Sequence, residues 1–195
     1  MAEFLRHWHR DDADALADIY ARADTDLLSN IPGDRSLAGA QSWLEQICAA
    51  QDEGTAAAFA IVAGDLTPVG NVMASGIESR HSTAWISYWL DPSVRGHGLA
   101  AAGLRSLVAH LHDELDVYRL ELGYRVSNRA SGGVARSAGF LVEGRKRERL
   151  LYDGLRFDTE VCARLRGDQR AAGRLLPILA SETTSSDDDG SAGSR

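Results

Sequence analysis

The stretch YWLDPSVRGHGLAA, from Tyr88 to Ala101, constrains this chain more than any other: it closes a strand, turns on two glycines and opens a helix. Residues 84–90 are rich in aromatic and β-favouring side chains, and Asp91-Pro92 then ends ladder bonding. Leu104, Leu107, Val108, Leu111 and Leu115 recur at helical spacing and predict a helix over 98–115. Leu120, Leu122, Tyr124 and Val126 alternate with Arg119, Glu121, Gly123 and Arg125, which returns the period to two and predicts a strand over 118–126. A strand, a helix and another strand in this order form a right-handed crossover, the connection that lets two strands run parallel in one sheet.

The turn itself predicts an anion site. Glycine lets the main chain approach a ligand, and the unpaired N–H groups of a first helical turn, with the helix dipole, favour phosphate oxygens. Arg95, Gly96, His97, Gly98, Leu99, Ala100 and Ala101 are therefore expected to cradle a pyrophosphate, with Arg95 adding charge. An ordinary glycine-rich loop reads the same way, and Gly96-x-Gly98-x-x-Ala101 also fits the dinucleotide fingerprint of NAD-binding folds. Three features count against NAD. The loop follows several hairpin-like strands, it stands some residues beyond its own strand, and few strand–helix repeats follow to complete a doubly wound sheet.

Elsewhere the pattern is regular. A strand over 3–9 precedes a helix over 11–23, with Leu16, Ile19, Tyr20 and Ala23 on one face and Asp11 or Asp12 available as N-cap. Ile31-Pro32-Gly33-Asp34 breaks the chain, and Ala40, Trp43, Leu44, Ile47 and Cys48 mark a second helix ending near Glu53-Gly54. Residues 56–63 and 69–77 flank a turn at Asp65-Leu66-Thr67-Pro68 and read as an antiparallel hairpin. A short helix over 129–138, a strand over 140–151, a turn at Tyr152-Asp153-Gly154 and a last strand over 157–165 follow. The expected fold is α/β (α+β), with a mixed, mostly antiparallel central sheet flanked by helices over residues 1–165. A polar, disordered tail is expected over 166–195, although 175–179 could dock as a short helix.

Asn128-Arg129-Ala130-Ser131, Gly139-Phe140 and Glu143-Gly144 follow the strand over 118–126. With Arg95-Gly96-His97-Gly98-Leu99-Ala100, this order resembles the GNAT acetyltransferases, especially their RimJ/RimL branch, over roughly residues 2–165. The resemblance implies acetyl-CoA as cosubstrate and a primary amine as acceptor. It implies that the strand end at Tyr88, Trp89 and Leu90 splays from its neighbour, where backbone groups hold the pantetheine arm and polarise the thioester carbonyl. It further implies that Asn128 contacts that arm, and that Ser131, as the catalytic residue, donates a hydrogen bond to the departing thiolate. Structural readings stand beside these: Asn128 and Ser131 suit a helix N-cap and its third position, Tyr88 and Leu90 suit a core, and Trp89 suits a place under a helix. A tyrosine used by many other GNAT proteins falls here on Ala135, and a glutamate used by some falls on Gly123.

No single general base stands out. Glu78, Glu121 and Glu148 are proton acceptors in principle, and each also reads as a solvated or ion-paired strand residue. An α-amino group, with a pKa near about 8, needs less help than a lysine near about 10.4, so a weakly defined base fits an α-amine better. The favoured acceptor is a peptide or protein N-terminal α-amine. Small or antibiotic amines are the alternative, and a non-catalytic CoA-binding regulatory domain is a third reading. The acceptor groove is expected in loops such as 24–37 and in the final hairpin.

Composition bounds the rest. A chain of 195 residues with 44% hydrophobic content accommodates one domain with a full core. The net charge of −7 opposes direct nucleic-acid binding and suits a cationic acceptor, although solubility alone explains acidity. The run Arg145-Lys146-Arg147-Glu148-Arg149 reads as a solvent-facing strand edge or as a contact for an acidic partner. Cys48 and Cys162 fit no metal or redox spacing, and the histidines no metal-ligand pattern, so no metal is expected. No leader core and no membrane-length apolar run stand in the sequence, so a reducing, cytoplasmic setting is expected, with no membrane partner. GNAT domains often pair, which brings a homodimer into scope.

Overall fold

The computed structural model describes residues 2–28, 30–31, 33–64 and 66–179. Pro32 and Asp65 of the expected turns, and the expected disordered stretch 180–195, lie outside the described residues. In chain order the elements are β1 (Glu3–His7), α1 (Ala13–Ala21), α2 (Thr25–Leu28), α3 (Leu37–Asp52), β2 (Ala56–Ala63), β3 (Thr67–Glu78) and β4 (Thr83–Leu90). There follow α4 (Leu99–Asp113), β5 (Arg119–Arg125), α5 (Arg129–Ser137), β6 (Leu141–Tyr152), β7 (Leu155–Leu165) and β8 (Ile178–Leu179). Among the described residues these build a mixed, mostly antiparallel sheet in the order β6-β7-β5-β4-β3-β2-β1-β8, in which only β4/β5 and β1/β8 run parallel.

Both faces of the sheet are covered at its central strands, while β6 stands exposed along most of its length, and β2 sets the division. Successive strand side chains point to opposite faces, so Ala57, Phe59 and Ile61 join the cluster under α4 and α5. Ala58, Ala60 and Val62 join the cluster under α1 and α3. This explains why β2 is apolar throughout rather than alternating. α4 lies close on its side because Gly103 has no side chain: a Cβ there would stand 3.2 Å from Ile61.

β4 and β5 bond to each other only where Thr83, Ala84 and Trp85 face Arg119, Leu120 and Glu121. β4 runs on to Leu90 and β5 to Arg125, so beyond that register the two strands part and open a wedge in the sheet. On its other side β4 is bound to β3 through Gly70–Leu90, where glycine is required: a Cβ at Gly70 would lie 2.4 Å from Leu90 Cδ2 and 2.6 Å from the Trp89 carbonyl oxygen.

The segment expected to begin a tail instead returns to the domain over residues 166–179. Ser106 Oγ donates to the Leu176 carbonyl and accepts from its N–H, Leu176 is buried in the α4-side cluster, and Ile178–Leu179 pair with β1 as a strand rather than docking as a helix. The physical reason is the open edge of β1, whose Leu5 N–H takes the Pro177 carbonyl at 2.8 Å. No helix among the described residues is long and apolar enough to cross a membrane.

Candidate active site

A cleft of about 290 Å³ occupies the wedge between β4 and β5. It is lined by Asp26, Leu27, Asn30, Tyr88, Trp89, Leu90, Arg95, Gly96, Gly98, Leu99, Ala100, Ala101, Asn128, Ala130, Ser131 and Val134. The residues singled out from the sequence therefore converge on one place, with His97 the exception: it is exposed on the turn and does not line the cleft.

The floor is the elbow between β4 and α4. Asp91, buried at 3% exposure, accepts from Ser93 N–H and Ser93 Oγ and pairs with Arg22 at 2.9 Å, which fixes the short 3-10 turn Pro92–Val94. Burial opposes the Asp91 charge, but the bonds from Ser93 and Arg22 win and hold its carboxyl below the usual range. Gly96 and Gly98 then take φ of +87° and +74°, and a Cβ at either would meet open space. Backbone conformation rather than packing demands glycine there.

Gly98 is also the N-cap of α4 and offers no side-chain cap, whereas Ser36 caps α3 and Asn128 caps α5 through their side chains. The helical ladder begins with Ala102 N–H donating to Gly98 O, which leaves the N–H groups of Leu99, Ala100 and Ala101 ahead of it at the cleft. Arg95 behaves differently from the expectation. Its guanidinium forks onto Asp24, at 2.6 and 3.1 Å, and donates to the Leu90 carbonyl. Its charge is engaged in tying the approach to α2 onto the end of β4, and the pair holds the Asp24 carboxyl below the usual range.

The opposite wall is the start of α5. Asn128 Oδ1 accepts from Ser131 N–H at 2.9 Å, so the cap reading of Asn128 holds in the structure. The Tyr88 hydroxyl lies 2.8 Å from the Ser131 carbonyl oxygen and 2.9 Å from Ser131 Oγ, bridging the wedge from β4 to α5. Burial, partly offset by the Ser131 bond, pushes the Tyr88 hydroxyl up to about 12, so it stays protonated and serves as a hydrogen-bond donor. Sequence reasoning gave Tyr88 a backbone role and missed this contact; no local pattern signals a pairing across 43 positions. Trp89 faces the other way, buried against Trp8 under α1 and α3.

Asp26, Leu27 and Asn30 were not singled out one by one, although they fall in the 24–37 stretch expected to shape the acceptor groove. Among the described residues Asp26 is the one acidic side chain lining the cleft, and it pairs with Arg125. Glu78, Glu121 and Glu148 do not line it. Glu78 accepts from His81 N–H at the far end of β3, Glu121 pairs with Arg119, and Glu148 sits in the β6 bulge. Ala135 is buried, and Gly123 lies against Trp85. No metal-ligand cluster occurs among the described residues, and Cys48 and Cys162 are free thiols.

Residues 4–141 match the family model described as an acetyltransferase (GNAT) domain. The chain belongs to the GNAT acetyltransferase family. Within this GNAT family, a ribosomal-protein-serine acetyltransferase of Escherichia coli is 36% identical over 76 residues, covering 39% of this chain and 42% of the relative. The chain spans less than half the length of the curated relatives it matches. Among solved GNAT structures, Mycobacterium smegmatis RimJ in complex with a CoA-disulfide superposes with a TM-score of 0.77 at 26% identity, over 87% of this chain and 85% of that one. A ribosomal-protein-S5-alanine acetyltransferase from Vibrio fischeri superposes with a TM-score of 0.78 at 19% identity, over 86% and 95%.

Proposed function

We propose that this GNAT domain transfers an acetyl group from acetyl-CoA to a primary amine, with a peptide or protein N-terminal α-amine as the favoured acceptor. The observation that carries the reading is the wedge between β4 and β5, which places an uncapped helix N-terminus, an open strand edge and the Tyr88–Ser131 pair along one cleft. The cleft fits the cosubstrate: the N–H groups of Leu99, Ala100 and Ala101 suit a pyrophosphate, and the open space beside Gly96 and Gly98 admits it.

Acetyl-CoA supplies an activated acyl thioester when bound. The backbone of β4 beyond Trp85, no longer bonded to β5, offers ladder groups to an extended chain of amides. Asn128 spends its side-chain oxygen on the α5 cap and keeps its amide N–H₂ for a ligand carbonyl. The Tyr88 proton goes to the Ser131 carbonyl, so Ser131 Oγ is the donor in its own contact with Tyr88, and its proton is the one to turn toward a developing thiolate.

The preference for a protein acceptor draws on the name of one relative, a ribosomal-protein-serine acetyltransferase, and the preference for an α-amine on the absence of Glu78, Glu121 and Glu148 from the cleft lining. A cytoplasmic setting goes with that reading. The test offers acetyl-CoA with a peptide bearing a free α-amine, its N-blocked lysine counterpart and a panel of small polyamines and aminoglycosides, and reads products by mass spectrometry. Acetylation of the free α-amine alone supports the assignment. Turnover only on small amines moves the protein to the alternative, and CoA binding without turnover on any acceptor leaves a regulatory domain.

A further inference from the structure

α2 is pinned to both lips of the wedge. Asp24, whose carboxylate accepts from Leu27 N–H, pairs with Arg95 beyond the end of β4, and Asp26 pairs with Arg125 at the end of β5. Between these ties Leu27, at 1% exposure, sinks into the cluster under α1 and α3. Four residues cannot hold a helix by their own ladder, so α2 takes its place from these contacts. Asp26, Leu27 and, just beyond the helix, Asn30 then line the cleft.

Arg125 is the hub of the second tie. Leu120, Leu122 and Tyr124 belong to the α4-side cluster, so strand alternation turns Arg125 to the opposite face, where α1 and α3 lie. Its side chain is 12% exposed, against 54% for Asp26. The guanidinium carbon stands 5.3 Å from the centre of the Tyr152 ring and 5.5 Å from that of Phe157, and these two rings lie 6.0 Å apart at the tip of the β6–β7 hairpin. A planar guanidinium donates to a carboxylate from its edge while its faces attract aromatic rings, which an ammonium does less well. Arg125 therefore joins the end of β5 to α2 and to the hairpin, the last two of which carry the stretches expected to shape the acceptor groove. β6 is exposed along most of its length, so a contact at the tip weighs heavily in fixing where the hairpin stands.

We propose that Arg125 is a positioning residue for the amine acceptor: it holds α2 through Asp26 and the hairpin through Tyr152 and Phe157, and so sets the two sides of the entrance by which the acceptor reaches the wedge. The proposal rests on the acetyltransferase reading above. Arg125 does not line the cleft, so it acts through these neighbours, and its loss falls on acceptor binding while sparing the α4 turn and the Tyr88–Ser131 pair.

The test measures steady-state kinetics with acetyl-CoA and the free α-amine peptide, with spermidine in its place if the native chain acetylates only polyamines. Calorimetry gives the acetyl-CoA affinity. Arg125→Met, which keeps an apolar stem against the rings, raises the acceptor KM about tenfold, with kcat and acetyl-CoA affinity within about twofold of the native values. Arg125→Lys keeps the charge without the planar fork and raises KM about threefold. Hydrogen exchange reads the tie without turnover: Arg125→Met speeds exchange both in α2 and at the hairpin tip, residues 152–157, whereas Asp26→Asn speeds it in α2 alone. An unmoved acceptor KM in Arg125→Met, an acetyl-CoA affinity that falls in step with it, or unchanged exchange at either segment overturns the proposal. A native chain that acetylates no amine instead fails the acetyltransferase reading, and the acceptor role falls with it.

Discussion

Ser131 and Tyr88 carry the sharpest consequences at the scale of single residues. If Ser131 Oγ delivers a proton to the leaving thiolate, Ser131→Ala lowers kcat by about 100-fold while acetyl-CoA affinity stays within about threefold, since the pyrophosphate contacts are untouched. Tyr88→Phe removes both contacts of that hydroxyl with Ser131, at its carbonyl and at its Oγ, and lowers kcat about fivefold with KM unchanged, as read by steady-state thiol release. Because the Tyr88 hydroxyl is raised to about 12, it does not titrate in the working range. The rate with an α-amine acceptor therefore climbs with pH and levels near about 8, following the acceptor, and Tyr88→Phe keeps that profile. The cap role of Asn128 was legible from its place ahead of a helix, as was Ser131 three positions on. The tyrosine was not, because a side chain that crosses the sheet to reach its partner leaves no trace in local periodicity.

At the scale of elements, the crossover from β4 through the glycine turn and α4 to β5 was legible because each part carries its own physics: aromatic alternation, a proline stop, positive-φ glycines and a 3.6-residue apolar stripe. α2 was not, since four residues cannot display a helical period. Nor was β8, whose two residues pair because β1 leaves an edge open rather than because of their own propensity. The returning segment is part of the fold, and Leu176 is its anchor in the core, at 3% exposure. Leu176→Ala should lower stability by about 2–4 kcal/mol, measured by denaturant unfolding, whereas a side chain in a loose tail would change nothing. Gly70→Ala tests the other side of the wedge. The added methyl collides with Leu90 and the Trp89 carbonyl, so the variant should lose about 1–3 kcal/mol and bind acetyl-CoA more weakly, because the β4 end moves.

At the scale of the whole molecule, an acidic chain presents its basic run on an edge. Arg145 to Arg149 sit on β6, the outermost strand, where Arg147, Glu148 and Arg149 bulge past the β7 register and the Asp158 carboxylate accepts from Arg145 and from Glu148 N–H. Such charges keep an edge from pairing with another sheet, in line with the sequence reading. Stability should also depend on pH through His112, whose imidazole burial holds below its ordinary 6.5. A depressed folded value means that the unfolded chain binds protons first, so this contribution is complete above about 6.5 and shrinks as pH falls through that region. Asp24 and Asp91, held below 3.8, add their losses only at lower pH. The thermal midpoint should begin to decline just below pH 6.5 in the native chain, and His112→Gln should remove that upper part of the decline. The account's central claim is that the wedge between β4 and β5 binds acetyl-CoA through the uncapped start of α4. Calorimetric titration with acetyl-CoA, beside CoA and NAD, on the native chain and on Gly98→Glu tests it most directly. The account predicts saturable binding of acetyl-CoA and CoA, none of NAD, and loss of binding when a carboxylate stands at the pyrophosphate position; NAD binding, or acetyl-CoA binding undiminished in Gly98→Glu, would contradict it.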